Sequence, residues 1–309
     1  AEVGQVTVPK TACWQVMQTW GARMGAALAA EEAPERAAAR AWSTPGQRPI
    51  AQGPMGIAID GAMIQLVDEG WKEFKLACVF DVELEERDDP RTQDHGLLGH
   101  AVRTSYVVHL GGREQLGWQA WTEAHRRGWH AARDTLVLGD GAPWIWNLWA
   151  DHFPDSVALV DWYHATQHLG DAKQALYPEE GRAATQWYNR GELLLFTGHA
   201  AQIARGLSQS AAAEGQSEAQ AKALRDEAHY FQTNAARMQY QDRRNEGWPI
   251  GSGAVESGAK QFKARVCGPG MRWSRPGAER ILAVRAAVMT SKARFDGLWE
   301  RALANSPPK

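Results

Sequence analysis

Three short apolar runs, GIAIDG at 56–61, TLVLGD at 135–140 and SVALVD at 156–161, restrict the folds open to this chain more than any other feature. Runs of this length, bounded by glycine and aspartate, read as strands that carry an acidic side chain at a sheet edge. Helical patterns separate them. REQLGWQAWTEAHRRGW precedes the second run, and APWIWNLWADHF, with Pro143 near its first turn, precedes the third. Around and after the first run, GIAIDGAMIQLVD, WKEFKLACVFDVE and TSYVVHLG read as three antiparallel strands rich in β-branched and aromatic residues. The acidic stretch DVELEERDDPRTQDHG between the last two reads as a solvated loop.

The order βββαβαβ predicts an α/β protein, a mixed sheet flanked by helices with the order of an RNase H-like core. After Asp161 the chain is helical and polar for almost ninety residues, QSEAQAKALRDEAHYFQTNAARMQ being the clearest amphipathic segment. This predicts an all-helical insertion before the last core helix. That helix follows IGSG, and GPGMRWSRPG then leads to a further helix, AERILAVRAAVMTSKARF. At the other end, Trp14, Met17, Met24 and Leu28 recur near helical spacing. Residues 1–50 are expected to be a helical arm, either packed on the main domain or left from a helix-turn-helix DNA-binding region. The breaker-rich segment STPGQRPIAQGPMG places a boundary there. The remainder divides into the first part of the core at 51–165, the insertion at 166–248, and the last core helix with a basic helical region at 249–309.

Bulk properties exclude more than they identify. The chain is 44% hydrophobic and 23% charged, as in ordinary globular proteins. Its net charge of −2 gives no support for nucleic-acid binding, so any such surface must be local. Cys13, Cys78 and Cys267 show no CxxC spacing, which argues against a zinc ribbon or a disulfide framework and fits a reducing cytoplasm. No apolar run approaches the roughly 20 residues a bilayer requires, and no membrane partner is expected.

Chemistry centres on acids. Asp60 closes GIAID, Asp140 stands between two glycines ahead of a helix, and Glu256 falls in the first turn of the helix after IGSG. Each has an ordinary explanation: an Asp-Gly turn, a helix N-cap, and an acid favouring the helix dipole. Together, three carboxylates meeting at one sheet edge can hold two divalent cations about 3.5–4 Å apart, the arrangement that clamps the attacking and leaving oxygens of a phosphodiester. Asp161 and His164 in DWYH, with His168 one turn on, are expected to support that site. A zinc site there lacks the HExxH pattern and a nearby cysteine.

Between Ser257 and Arg294 nine basic residues, Lys260, Lys263, Arg265, Arg272, Arg275, Arg280, Arg285, Lys292 and Arg294, face one acid, Glu279. Such density suits phosphate contact, the alternative being a solvated helix face. Lys260, Lys263, Arg265, Arg272, Trp273 and Arg275 are the expected DNA contacts. Trp248 is a candidate for stacking on an extruded base, with core packing as its other reading.

In the order GIAIDG, LGDGAPWIW, DWYH and IGSGAVESGAKQFKARVCGPGMRW, these segments resemble insertion-sequence transposases of the DDE type, in particular the ISKra group. The resemblance covers nearly the whole chain. It implies an RNase H-like catalytic domain interrupted by a helical insertion, with Asp60, Asp140 and Glu256 as the catalytic, metal-holding triad. DWYH matches the Asp-x-x-His signature of many related transposases. Two Mg²⁺ ions, with Mn²⁺ as a substitute, would serve cleavage and joining of double-stranded DNA at transposon ends and target. A homodimer or higher oligomer on DNA and a cytoplasmic, nucleoid-associated location are implied. The alternatives are a transposase-derived DNA-binding protein without catalysis and a metal-dependent hydrolase of another substrate.

Overall fold

The computed structural model describes residues 10–42, 53–88, 95–251 and 253–304. It is an α/β structure built on one five-stranded mixed sheet: β1 (Met55–Leu66), β2 (Gly70–Asp88), β3 (His95–His109), β4 (Thr135–Gly139) and β5 (Val157–Val160). Spatial order is β3-β2-β1-β4-β5. β1 pairs antiparallel with β2, and β2 with β3, whereas β4 runs parallel to both β1 and β5. This is the RNase H-like arrangement expected from the run order.

Central strands read as continuous apolar runs because both faces are covered. Ile57, Ala58 and Ile59 of β1 are all buried, as are Leu136, Val137 and Leu138 of β4. The covering helices are α2 (Arg113–Arg126), against β2 and β3, and two C-terminal helices, α9 (Gly253–Val266) and α10 (Arg275–Thr290). α9 lies on β1 and β2, and α10 on β3. α3 (Pro143–His152) links β4 to β5 and begins with Pro143 at its first turn, where a missing N–H costs nothing.

Residues 81–88 and 95–96 of the acidic stretch are strand, not loop. The β2–β3 ladder continues out to Asp88 opposite His95, and only residues 89–94 lie outside the described residues. Cations along the hairpin offset its acids: Arg103 bonds Asp81 and Glu83 at 2.6 Å each, and Arg87 bonds Glu85 at 2.9 Å. Val82 and Leu84 also alternate with the acids, a period-2 signal that charge counting overlooks.

Residues 162–248 contain five α-helices, a short 3₁₀ helix and, among the described residues, no strand. The α-helices are α4 (Trp162–Leu176), α5 (Arg182–Phe196), α6 (Ala200–Ala211), α7 (Glu218–Asn234) and α8 (Tyr240–Asn245). α7, the segment with the clearest amphipathic pattern, opens with a capping box in which Ser217 and Gln220 satisfy each other's backbone N–H. Its buried face, Ala221, Leu224, Ala228 and Phe231, packs on α4 and α6.

The N-terminal arm is one 33-residue helix, α1 (Lys10–Trp42), with no turn and second helix within those residues. It packs on α2, α10 and α11 (Lys292–Ala304). Met24 and Ala27 join Ala287, Leu298 and Ala302 in a second, smaller core, and Trp20 stacks on Trp299 at 4.4 Å. The single C-terminal helix expected over 278–295 is broken at Ser291, whose extended backbone ends α10 and whose hydroxyl accepts the Arg294 N–H at 3.0 Å to start α11.

Candidate active site

Strand register places three aspartates side by side. The last parallel pair of β1 and β4 is Ile59 with Gly139, and the last pair of β4 and β5 is Gly139 with Val160. The next residue on each strand is an aspartate: Asp60, Asp140 and Asp161. Neighbouring strands stand about 4.8 Å apart, so the row brings three carboxyl groups to one edge of the sheet. β1 does not end at Asp60 as the Asp-Gly dipeptide suggested. It runs on to Leu66 because β2 remains its partner, with Asp60 opposite Leu76 and Gly61 opposite Lys75.

Each aspartate is held differently. Asp60 Oδ1 accepts the Gly61 N–H at 2.7 Å. Asp140 Oδ1 accepts the Ala142 N–H at 2.8 Å, closing a turn that requires glycine, since Gly141 has a φ of 105°. Asp161 is fully buried and caps α4: Oδ1 accepts the His164 N–H at 2.8 Å and lies 3.1 Å from His164 Nδ1.

Electrostatics ties the row together. Burial pushes the Asp60 carboxyl up to about 6, with Asp140 adding to the rise, while the Gly61 N–H, His164 and Lys263 oppose it. His164 is pushed up to about 9, first by its bond to Asp161 and further by the charges of Asp140 and Asp60. At neutral pH His164 is therefore an imidazolium among carboxylates.

Glu256 arrives from another element. The segment before α9 crosses the end of β5, where Ile250 O accepts the Trp162 N–H at 2.9 Å, and Glu256 follows in the first turn of α9. Asp161, His164 and Glu256 offer ligand atoms all within 4.8 Å of one another. Asp60, Asp140 and Glu256 do not by themselves form such a set. His164, coupled by charge to Asp60 and Asp140 and by distance to Glu256, joins the two halves. Asp161 and His164, expected as supports, are thus central.

His168 does not share a ligand set with His164. It belongs to a second group with Asp171 and Glu227, its Nδ1 lying 2.7 Å from Glu227 Oε2, so of the two histidines expected to support the carboxylates only His164 is grouped with them. The carboxylates of Asp161 and Glu256 suit a hard divalent cation, and a cation nearby would also offset the rise of Asp60, which burial sets first and Asp140 increases.

The basic segment divides into two classes. Lys263, Arg265 and Arg272 are exposed, with no carboxylate within 4.0 Å among the described residues, and Lys260 lies 3.9 Å from Glu256. The others are paired or partly buried, Lys292 in an exposed pair one turn along its helix. Arg275 forks onto Glu69 at 2.5 and 2.9 Å, Arg280 bonds Gln18 of α1 at 3.1 Å, Arg294 pairs with Glu31 at 2.9 Å, Lys292 pairs with Asp296, and Arg285 is half-buried. Trp248 is not available for stacking on a base, and Trp273 is partly buried. Trp248 is 5% exposed, and Trp273 is fixed by its indole N–H to Val266 O at 2.8 Å and by backbone bonds to Gln65 and Val67.

Tyr230 and Glu227 of α7 were not legible as site neighbours. The Tyr230 hydroxyl donates to the Asp140 carbonyl at 2.9 Å, a contact made 90 residues along the chain that no local pattern signals. No protein-family model matches the chain, and no curated protein matches it. Among the described residues, no helix is long and apolar enough to cross a membrane.

Proposed function

We propose that the chain is a DNA transposase that cleaves and joins DNA at insertion-sequence ends, with divalent cations held by Asp60, Asp140 and Glu256. The observation that carries this reading is the register of β1 and β4, which sets Asp60 and Asp140 at equal height on adjacent parallel strands beside the Asp161–His164–Glu256 group. Bound Mg²⁺ or Mn²⁺ would supply an activated hydroxyl nucleophile and stabilise the leaving oxygen at phosphorus. Asp161 orients His164, and the imidazolium offsets the carboxylates that approach it. Lys263, Arg265 and Arg272 contact the backbone phosphates of double-stranded DNA. Two ends must be brought together, so a dimer or higher oligomer on nucleoid DNA belongs to the same reading.

The test is incubation of the protein with flanking DNA of its source locus and Mg²⁺ or Mn²⁺, scored for nicks at defined ends. Asp60→Asn and Glu256→Gln are expected to lower nicking by roughly 100-fold or more while DNA binding and melting stay as in the wild type. Nicking by either variant at the wild-type rate refutes the triad. The mixed nitrogen and oxygen donors of Asp161, His164 and Glu256 favour a second reading, a metal-dependent hydrolase. Stoichiometric zinc in the purified protein, with no nicking, decides for it.

A further inference from the structure

We infer that Tyr230, on α7 of the helical insertion, is a positioning residue for Asp140; the role rests on the active-site reading above. The Asp140 turn is short, glycine-flanked and held at its carboxylate by one internal bond, Ala142 N–H to Oδ1 at 2.8 Å. Such a turn needs an external support if its carboxylate is to be fixed for ligation. α7 supplies it. The Tyr230 hydroxyl donates to the Asp140 carbonyl at 2.9 Å, and the Tyr230 ring lies against Gly141, where a Cβ would collide with it.

One turn later on α7, buried Asn234 accepts the Trp146 indole N–H of α3 at 2.8 Å, so the same helix face grips both the turn and the helix after it. Tyr230 is itself held. Its ring stacks on His168 at 3.5 Å between centroids, and His168 is fixed by Glu227, one turn earlier on α7, at 2.7 Å. Glu227, Tyr230 and Asn234 thus lie along one stripe of α7, aimed at the end of β4. The insertion is therefore part of the site's support and not a separate appendage.

The experiment compares wild type, Asp140→Asn and Tyr230→Phe, which removes only the hydroxyl. Hydrogen exchange of the Ala142 amide is followed by NMR without metal, Mn²⁺ binding by calorimetry, and melting temperature alongside. Y230F is expected to speed Ala142 exchange about fivefold or more and to weaken Mn²⁺ binding about tenfold, with melting close to wild type. Wild-type exchange and wild-type Mn²⁺ affinity in Y230F overturn the positioning role, while loss of binding in D140N keeps the site reading. If D140N binds Mn²⁺ as the wild type does, the site reading fails and the role falls with it. Should Y230F melt much lower, His168→Ala leaves the phenol in place and removes the ring stacked on it together with the partner of Glu227. Faster Ala142 exchange in H168A then supports the role, and wild-type exchange overturns it.

Discussion

At Asp60, burial and the neighbouring Asp140 oppose a negative charge that Gly61, His164 and Lys263 only partly offset. Removing one of those offsets has a fixed sign. His164→Gln is expected to move the Asp60 carboxyl above its value of about 6, which carbon-13 NMR of the labelled carboxyl group reads directly; a fall or no change would separate the two residues. On α2, His125 is 7% exposed, bonded through Nδ1 to Trp121 O at 2.8 Å, and pushed down to about 4 by burial. Its folded value lies below the unfolded 6.5, so the unfolded chain takes up the proton first. The stability it contributes is present above about pH 6.5 and lost as pH falls toward about 4, by up to about 3 kcal/mol. His125→Gln should flatten the decline in denaturant midpoint between about pH 7 and about 4.5. Arg127 is the other residue on which the sheet leans, donating to Val79 O at 2.7 Å, Ser105 Oγ at 2.9 Å and Asp81 at 2.9 Å beside the register shift of β2. Arg127→Ala leaves Asp81 to Arg103 alone and removes the donor to Val79 O and Ser105 Oγ, and should cost on the order of 1–3 kcal/mol in urea melts.

Elements assign work that residue type alone does not. α9 and the turn after it present Lys263, Arg265 and Arg272 to solvent, whereas α10 and α11 turn Arg280 and Arg294 onto α1. The charges are the same and their uses differ. Lys263→Ala with Arg272→Ala should weaken binding to every DNA sequence and lower the slope of log affinity against log salt by about 2. Arg280→Ala with Arg294→Ala should leave that slope unchanged and lower the melting temperature. Equal slopes for both pairs would remove α9 from the DNA path. The density of positive charge between 257 and 294 was visible in the sequence, but the division was not, because it depends on which face of each helix meets α1.

The described residues form two cores, one around the sheet and the insertion and a smaller one joining α1 to α10 and α11. Leu298 is fully buried in the smaller core, and Leu298→Ala should cost roughly 2–5 kcal/mol, seen as an earlier transition in near-UV circular dichroism of the stacked Trp20 and Trp299. What the sequence determined was the strand and helix order, the helical character of the insertion, and the identity of the acids that close the short apolar runs. Those follow from local periodicity and turn chemistry, which act over a few residues. Tertiary structure alone decided that β2 and β3 pair through the acidic stretch, that Trp248 and Trp273 are packed, that Asp161 and His164 stand among the carboxylates, and that Tyr230 reaches Asp140. Each of these depends on segments far apart in the chain meeting in one register or on one helix face, and hydrogen bonds and charge pairs made across such distances leave no pattern in the letters of either partner.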